Sequence, residues 1–170
     1  MSRIGRIRKT RKQVVAQKNP DQHAPHDPYF IGEKLSDGSV CRKCGIVFEQ
    51  GVFRRSATEP HEGKPMTCPA CRREADGVPG GEVVLSGAFL GEHEAEIRNL
   101  IHNIETAEED NHALQRVMSI TPTPGGLRVL TTYEHIARRI GSAVHRAYGG
   151  NLAMDYADSE KFVRITWNRD

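Results

Sequence analysis

Two CxxC pairs, Cys41-Arg42-Lys43-Cys44 and Cys68-Pro69-Ala70-Cys71, hold every cysteine of the chain, with the 23 residues Gly45 to Thr67 between them. A CxxC turn aims two thiolates at one point, and two such turns complete a tetrahedron around one metal ion. Two disulfides would need an oxidising compartment, and the N-terminus carries no apolar stretch of a secretory signal. A redox CxxC would explain one pair and leave the other idle. The spacing therefore predicts one structural Zn2+ held by Cys41, Cys44, Cys68 and Cys71. Four thiolates leave no coordination position open for water, so this zinc is expected to fold the chain and not to catalyse. His61 is a weaker thought as a substitute ligand, since four cysteines already suffice.

The segments around the cysteines divide the chain. Residues 1–28 read as a flexible basic arm: Arg3, Arg6, Arg8, Lys9, Arg11, Lys12 and Lys18 precede the first acidic residue, Asp21. Three prolines at 20, 25 and 28 break any helix begun there. Residues 29–76 read as a zinc ribbon, with Ile46–Phe48 and Val52–Arg55 as strands of a hairpin between the knuckles. A segment this small cannot bury a core unaided, so metal must supply its stability. Gly77-Val78-Pro79-Gly80-Gly81 reads as a linker, residues 77–81.

Residues 82–170 read as a packed α+β domain. Ile97, Leu100, Ile101 and Ile104 recur at helical spacing in a helix expected over about Glu92–Glu108. Ile136, Ile140, Ala143, Val144 and Ala147 mark a second helix that ends at Gly149-Gly150. Strands are expected at Val83–Leu85, Leu114–Ile120, Leu127–Leu130, Leu152–Tyr156 and Phe162–Trp167. The order is β-α-β-β-α-β with an added C-terminal hairpin strand, a split-βαβ layout of ferredoxin-like type.

Charge is uneven along the chain. Residues 1–80 carry 15 Lys/Arg against 9 Asp/Glu, and residues 81–170 carry 9 against 13. Basic pairs flank the metal ligands: Arg42-Lys43, Arg54-Arg55 and Arg72-Arg73. Arginines held on a rigid knuckle can grip phosphates, and the arm would extend the same surface. No recognition helix for duplex DNA is visible, which favours RNA. No nucleophile elbow, phosphate-binding glycine loop, HExxH motif or dinucleotide fingerprint appears, and the scattered histidines join no catalytic motif. The chain is read as non-enzymatic. No apolar run approaches the roughly 20 residues of a membrane span, mean hydropathy is −0.57, and a cytoplasmic location is expected.

The paired knuckles Cys41-x-x-Cys44-Gly45 and Cys68-Pro69-x-Cys71, with the stretch Val129 to Trp167, resemble the Nmd-three family of large-ribosomal-subunit export adaptors and their archaeal relatives. Within that stretch lie Tyr148-Gly149-Gly150 and the strand Val163-Arg164-Ile165-Thr166, which looks like the family's closing strand. The resemblance covers about two thirds of the chain and suggests a short bacterial-type relative. It implies binding to the large ribosomal subunit or ribosomal RNA. One zinc module stands where the family has two, and the long export-signal tail is missing, which bears against nuclear export. Two rivals remain at this level: a transcription-type zinc-ribbon adaptor for polymerase or DNA, and a pure protein-interaction module.

Overall fold

The computed structural model describes residues 27–29, 35–55, 63–157 and 161–170. Six of the seven basic residues of the expected arm fall between Arg3 and Lys12; all seven, and His61, lie outside the described residues. The first body is a small four-stranded sheet made of β1 (Ser39–Cys41), β2 (Val47–Glu49), β3 (Val52–Arg54) and β4 (Pro65–Met66), in the order β3-β2-β1-β4. The expected hairpin is β2–β3, and Glu49 pairs with Val52 across it. Its two-residue turn places Gln50 at φ 50° and Gly51 at φ 83°. Positive φ at both central positions is what a type I′ turn requires, and that turn matches the twist of the flanking strands. A single helix, α1 (Pro69–Asp76), grows directly out of the second knuckle.

The second body is a five-stranded mixed sheet with two helices on one face. Its elements are β5 (Gly81–Ser86), α2 (Ala88–Glu109), β6 (Val117–Thr123), β7 (Gly126–Thr131), α3 (Glu134–Tyr148), β8 (Asn151–Tyr156) and β9 (Val163–Asn168). The strand order is β6-β7-β5-β9-β8. β7 lies between β5 and β6 and runs antiparallel to both, which is a split βαβ unit. The last strand does not simply lengthen the sheet at an edge. β9 inserts between β5 and β8, parallel to the former and antiparallel to the latter.

Local chemistry explains the boundaries. α2 begins four residues before the expected start and kinks at His93 (φ −119°, ψ 18°), so the expected helix is the longer segment beyond the kink. Leu90, in the early turn, is buried and anchors that turn to the sheet. β6 runs on through Pro122 to Thr123, where a stop was expected at Thr121. Proline is tolerated there because β6 is an edge strand with no outer neighbour needing its missing N–H. Residues 77–81 are not a free linker. Gly77 caps α1 in the left-handed region (φ 66°), Gly80 donates to Thr131 O at 2.9 Å, and Gly81 opens β5.

The core lies between sheet and helices. Val83, Leu85, Leu127, Val129, Val163, Ile165 and Trp167 face Leu90, Ile97, Ile101, Ile136, Ile140 and Val144, all at most 2% exposed. β9 shows strict alternation, with Val163, Ile165 and Trp167 buried and Arg164 and Thr166 exposed, as a strand covered on one face must. Gly141 lets α3 approach closely: a Cβ there would stand 2.6 Å from Ile165 Cγ2.

The opposite face of the sheet is polar. At its centre the Glu82 carboxylate, 5% exposed, accepts from Arg164 Nε at 2.7 Å and from Arg128 Nε at 2.5 Å. Burial works against this charge, but the bonds from Arg164 and Arg128 outweigh it and hold the carboxyl below its ordinary range. A carboxylate whose folded pKa is depressed contributes stability above its unfolded pKa and loses it as pH falls through the folded one. Stability of the chain is therefore expected to decline below about pH 4.3, the ordinary glutamate value. Glu82→Gln is expected to lower stability at neutral pH and to flatten that acid limb, as read by urea denaturation at a series of pH values.

Candidate metal centre and its surroundings

The four cysteines come together through sheet pairing. The first knuckle is the connection between β1 and β2. There Gly45 (φ 76°) donates to Cys41 O at 2.8 Å, and Cys41 N donates to Ile46 O at 2.9 Å. The second knuckle lies between β4 and α1. β1 and β4 are parallel neighbours, with Cys41 opposite Met66, and this brings the two knuckles to one side of the sheet. Cys68 is the N-cap of α1 and its Sγ accepts from Cys71 N at 3.4 Å. Pro69 takes the first helical turn, where its missing N–H costs nothing.

All four Sγ atoms lie within 4.8 Å of one another. Cys41 and Cys71 Sγ are 3.8 Å apart, and Cys44 and Cys68 Sγ 3.7 Å. A tetrahedron with metal–sulfur bonds of about 2.3 Å has edges of about 3.8 Å, so the residues present fit one ion with a complete thiolate shell. A disulfide would need the sulfurs at about 2.05 Å. Cys41, Cys68 and Cys71 are buried, and Cys44 is the exposed corner.

The sulfurs also gather a cation from the other body. Arg116, just before β6, donates from Nη2 to Cys44 Sγ at 3.1 Å and Cys68 Sγ at 3.8 Å, and from Nη1 to Cys71 Sγ at 3.6 Å. Its Nε donates to Ala113 O at 3.0 Å, which fixes the guanidinium in place. Burial disfavours the charge on Arg116, yet the bonds to Cys44 and Cys71 prevail and its pKa is raised. As thiols the ligands differ in acidity. Cys44 is drawn down to about 4, first by the bond from Cys68, then against burial by the Ile46 backbone N–H and Arg116. Cys68 is pushed up by donating to Cys44 and by burial. Burial first, then its bond to Cys44, pushes Cys71 up to about 11. A metal ligated here must displace those protons, so affinity falls as pH is lowered.

The metal-site core is shared between the bodies. Cys41, Ile46, Cys68, Ala70 and Cys71 pack with Ala113, and Phe53, Met66 and Leu114 close the cluster. Ala113, Leu114 and Arg116 all belong to the connection between α2 and β6. Nothing in the local pattern of that connection marks it as metal-associated; an isolated arginine between two elements carries no signal of its own.

The basic residues expected to contact RNA part company. Arg42, Lys43, Arg54, Arg55 and Arg72 are exposed. Arg55 reaches Glu109 of α2 at 2.7 Å, a bridge from the hairpin to the larger body. Among the described residues, Arg42, Lys43, Arg54 and Arg72 form no ion pair. Arg73 is the correction: it is 3% exposed and cannot present itself to a nucleic acid. Its guanidinium lies between the rings of Tyr29 and Tyr133, 4.6 and 4.9 Å from their centroids, and bonds Asp27 Oδ1 at 2.6 Å. On α1, Arg72 and Arg73 are separated by one residue's rotation of about 100°, enough to send one outward and the other into the seam. Pro69 at the start of α1 and Gly77 past its end are the two ends that proline and glycine favour, and they are the local signal for this helix.

No protein-family model, curated protein or solved structure matches the chain. Among the described residues, no helix is long and apolar enough to cross a membrane.

Elemental analysis of protein purified without chelator is expected to find one metal ion per chain, lost in Cys68→Ser. Arg116→Ala is expected to weaken metal affinity by about tenfold to a hundredfold, the range for groups that hold ligands, in competition with a chromophoric chelator. Arg73→Ala strands the Asp27 carboxylate in a largely buried place. It is expected to cost about 3 kcal/mol in chemical denaturation while leaving metal stoichiometry intact.

Proposed function

We propose that the chain is a non-enzymatic, zinc-stabilised RNA-binding protein that acts on the large ribosomal subunit or its RNA, in the cytoplasm. The observation that carries this reading is the set of exposed Arg42, Lys43, Arg54 and Arg72 on a scaffold made rigid by four thiolates. Cations fixed on folded structure can meet phosphates at set positions, and Arg adds planar two-pronged bonding. Zinc is the metal of choice because a closed all-thiolate tetrahedron suits it and excludes catalysis. The basic segment 1–18 adds a sequence-independent electrostatic grip. The likeness to the Nmd-three family points to the same partner, and the larger body is read as a ferredoxin-like sheet widened by the inserted β9.

Ribosome co-sedimentation and RNA titration at several salt concentrations test the proposal. If about six phosphates are neutralised, affinity falls by roughly three orders of magnitude between 50 and 200 mM salt. Deleting residues 1–18 is expected to weaken binding to all RNAs and to flatten the salt slope. Arg54→Ala with Arg72→Ala is expected to change site preference instead. Intact protein that binds neither ribosomes nor structured RNA at low salt would falsify the ribosomal reading, and pull-down of polymerase in its place would favour the adaptor reading.

A further inference from the structure

The larger body, net acidic by count, carries a basic groove of its own. The C-terminal half of α2, helix α3 and strand β8 enclose an open cavity of about 480 Å³. Along α3, His135, Arg138, Arg139, Ser142 and Arg146 line it at helical spacing. These residues stand beside the buried stripe of Ile136, Ile140 and Val144. Among the described residues, the one carboxylate in the lining is Glu108, which is 2% exposed and is neutralised by Arg139. Among the described residues, Arg138 and Arg146 form no ion pair, and both are exposed. They sit eight residues apart on α3, about 12 Å along its axis. The far wall is β8, where Met154 and Tyr156 offer apolar and aromatic surface, and Tyr156 is 57% exposed.

A cationic track beside an accessible ring is the combination that holds single-stranded nucleic acid: cations follow the phosphates, and a base stacks on the aromatic face. An exposed tyrosine is left in water at a cost that a stacked base would recover. Resting on the RNA-binding reading above, we infer that this groove binds a single-stranded RNA segment, with Arg138 and Arg146 on two of its phosphates and Tyr156 under a base.

The probe is a fluorescein-labelled 12-nucleotide oligouridylate, titrated by anisotropy against the full-length protein. The variants are Arg138→Glu/Arg146→Glu, Tyr156→Ala and Tyr156→Phe, with circular dichroism melts to verify folding. All the altered side chains are exposed. The double variant is expected to bind at least tenfold more weakly and to lower the salt slope by about 1.4, the value for two phosphates on a single strand. Tyr156→Ala is expected to weaken binding by about tenfold with the slope unchanged, as loss of one stacked base requires, and Tyr156→Phe to restore it. Undiminished oligouridylate binding by both groove variants overturns the inference and leaves the knuckle arginines as the RNA surface. Wild-type protein that sediments with ribosomes yet ignores the oligouridylate also overturns the groove alone. Wild-type protein that binds neither removes the RNA reading and the groove with it. Loss of an acidic protein partner in the groove variants, with RNA binding intact, counts against the inference as well.

Discussion

Convergence of four sulfurs on one point is the constraint on which the rest of the smaller body depends. Its strands are two or three residues long, far below what sheet pairing alone sustains in water. Parallel pairing of β1 with β4 brings the knuckles together, and a metal shell formed on their four sulfurs would tie the two halves of the body to one another. Without that shell, the apolar material is Ile46, Val47, Ala70 and a few half-buried neighbours. That is too little to offset the entropy of ordering the segment.

Two arginines show how the bodies are joined. Arg116 reaches from the larger body to three of the four sulfurs, and Arg73 reaches from the smaller one to the Tyr133 ring. A metal held by four thiolates carries net negative charge, so a fixed guanidinium beside it lowers the cost of burying that charge. Ala113 and Leu114 add apolar contact along the same seam. Metal binding at the four sulfurs would thereby favour docking of the bodies, because Arg116 and Ala113 of the larger body meet the sulfur cluster directly.

Among the described residues, exposed cations gather in two separate places. Around the knuckles stand Arg42, Lys43, Arg54 and Arg72; on α3 stand Arg138 and Arg146 beside Tyr156. A count of charges by half-chain hides the second place, because it shows neither where each charge lies nor which acids are paired. Glu82 is enclosed by Arg128 and Arg164, Glu108 by Arg139, and Glu109 by Arg55. Electrostatic surfaces follow from what remains exposed and unpaired, not from composition.

The cluster of four cysteines, the β2–β3 hairpin and the order of elements in the larger body were legible along the chain. Cysteine spacing, period-2 alternation in β9 and period-3.6 apolar spacing in α2 and α3 are short-range patterns that one stretch of sequence carries by itself. The place of β9 between β5 and β8 was not legible, since strand order is decided by contacts between residues some 80 positions apart, such as Val83 with Ile165. Nor was the fate of Arg73 against Arg72, which turns on a helical rotation and on two tyrosines distant in sequence. Arg116 was silent for the same reason: a lone arginine acquires its meaning only when folding carries three sulfurs to it. Local pattern determines which element forms, and only tertiary packing decides which side chains meet, because meeting depends on distances the linear order does not contain.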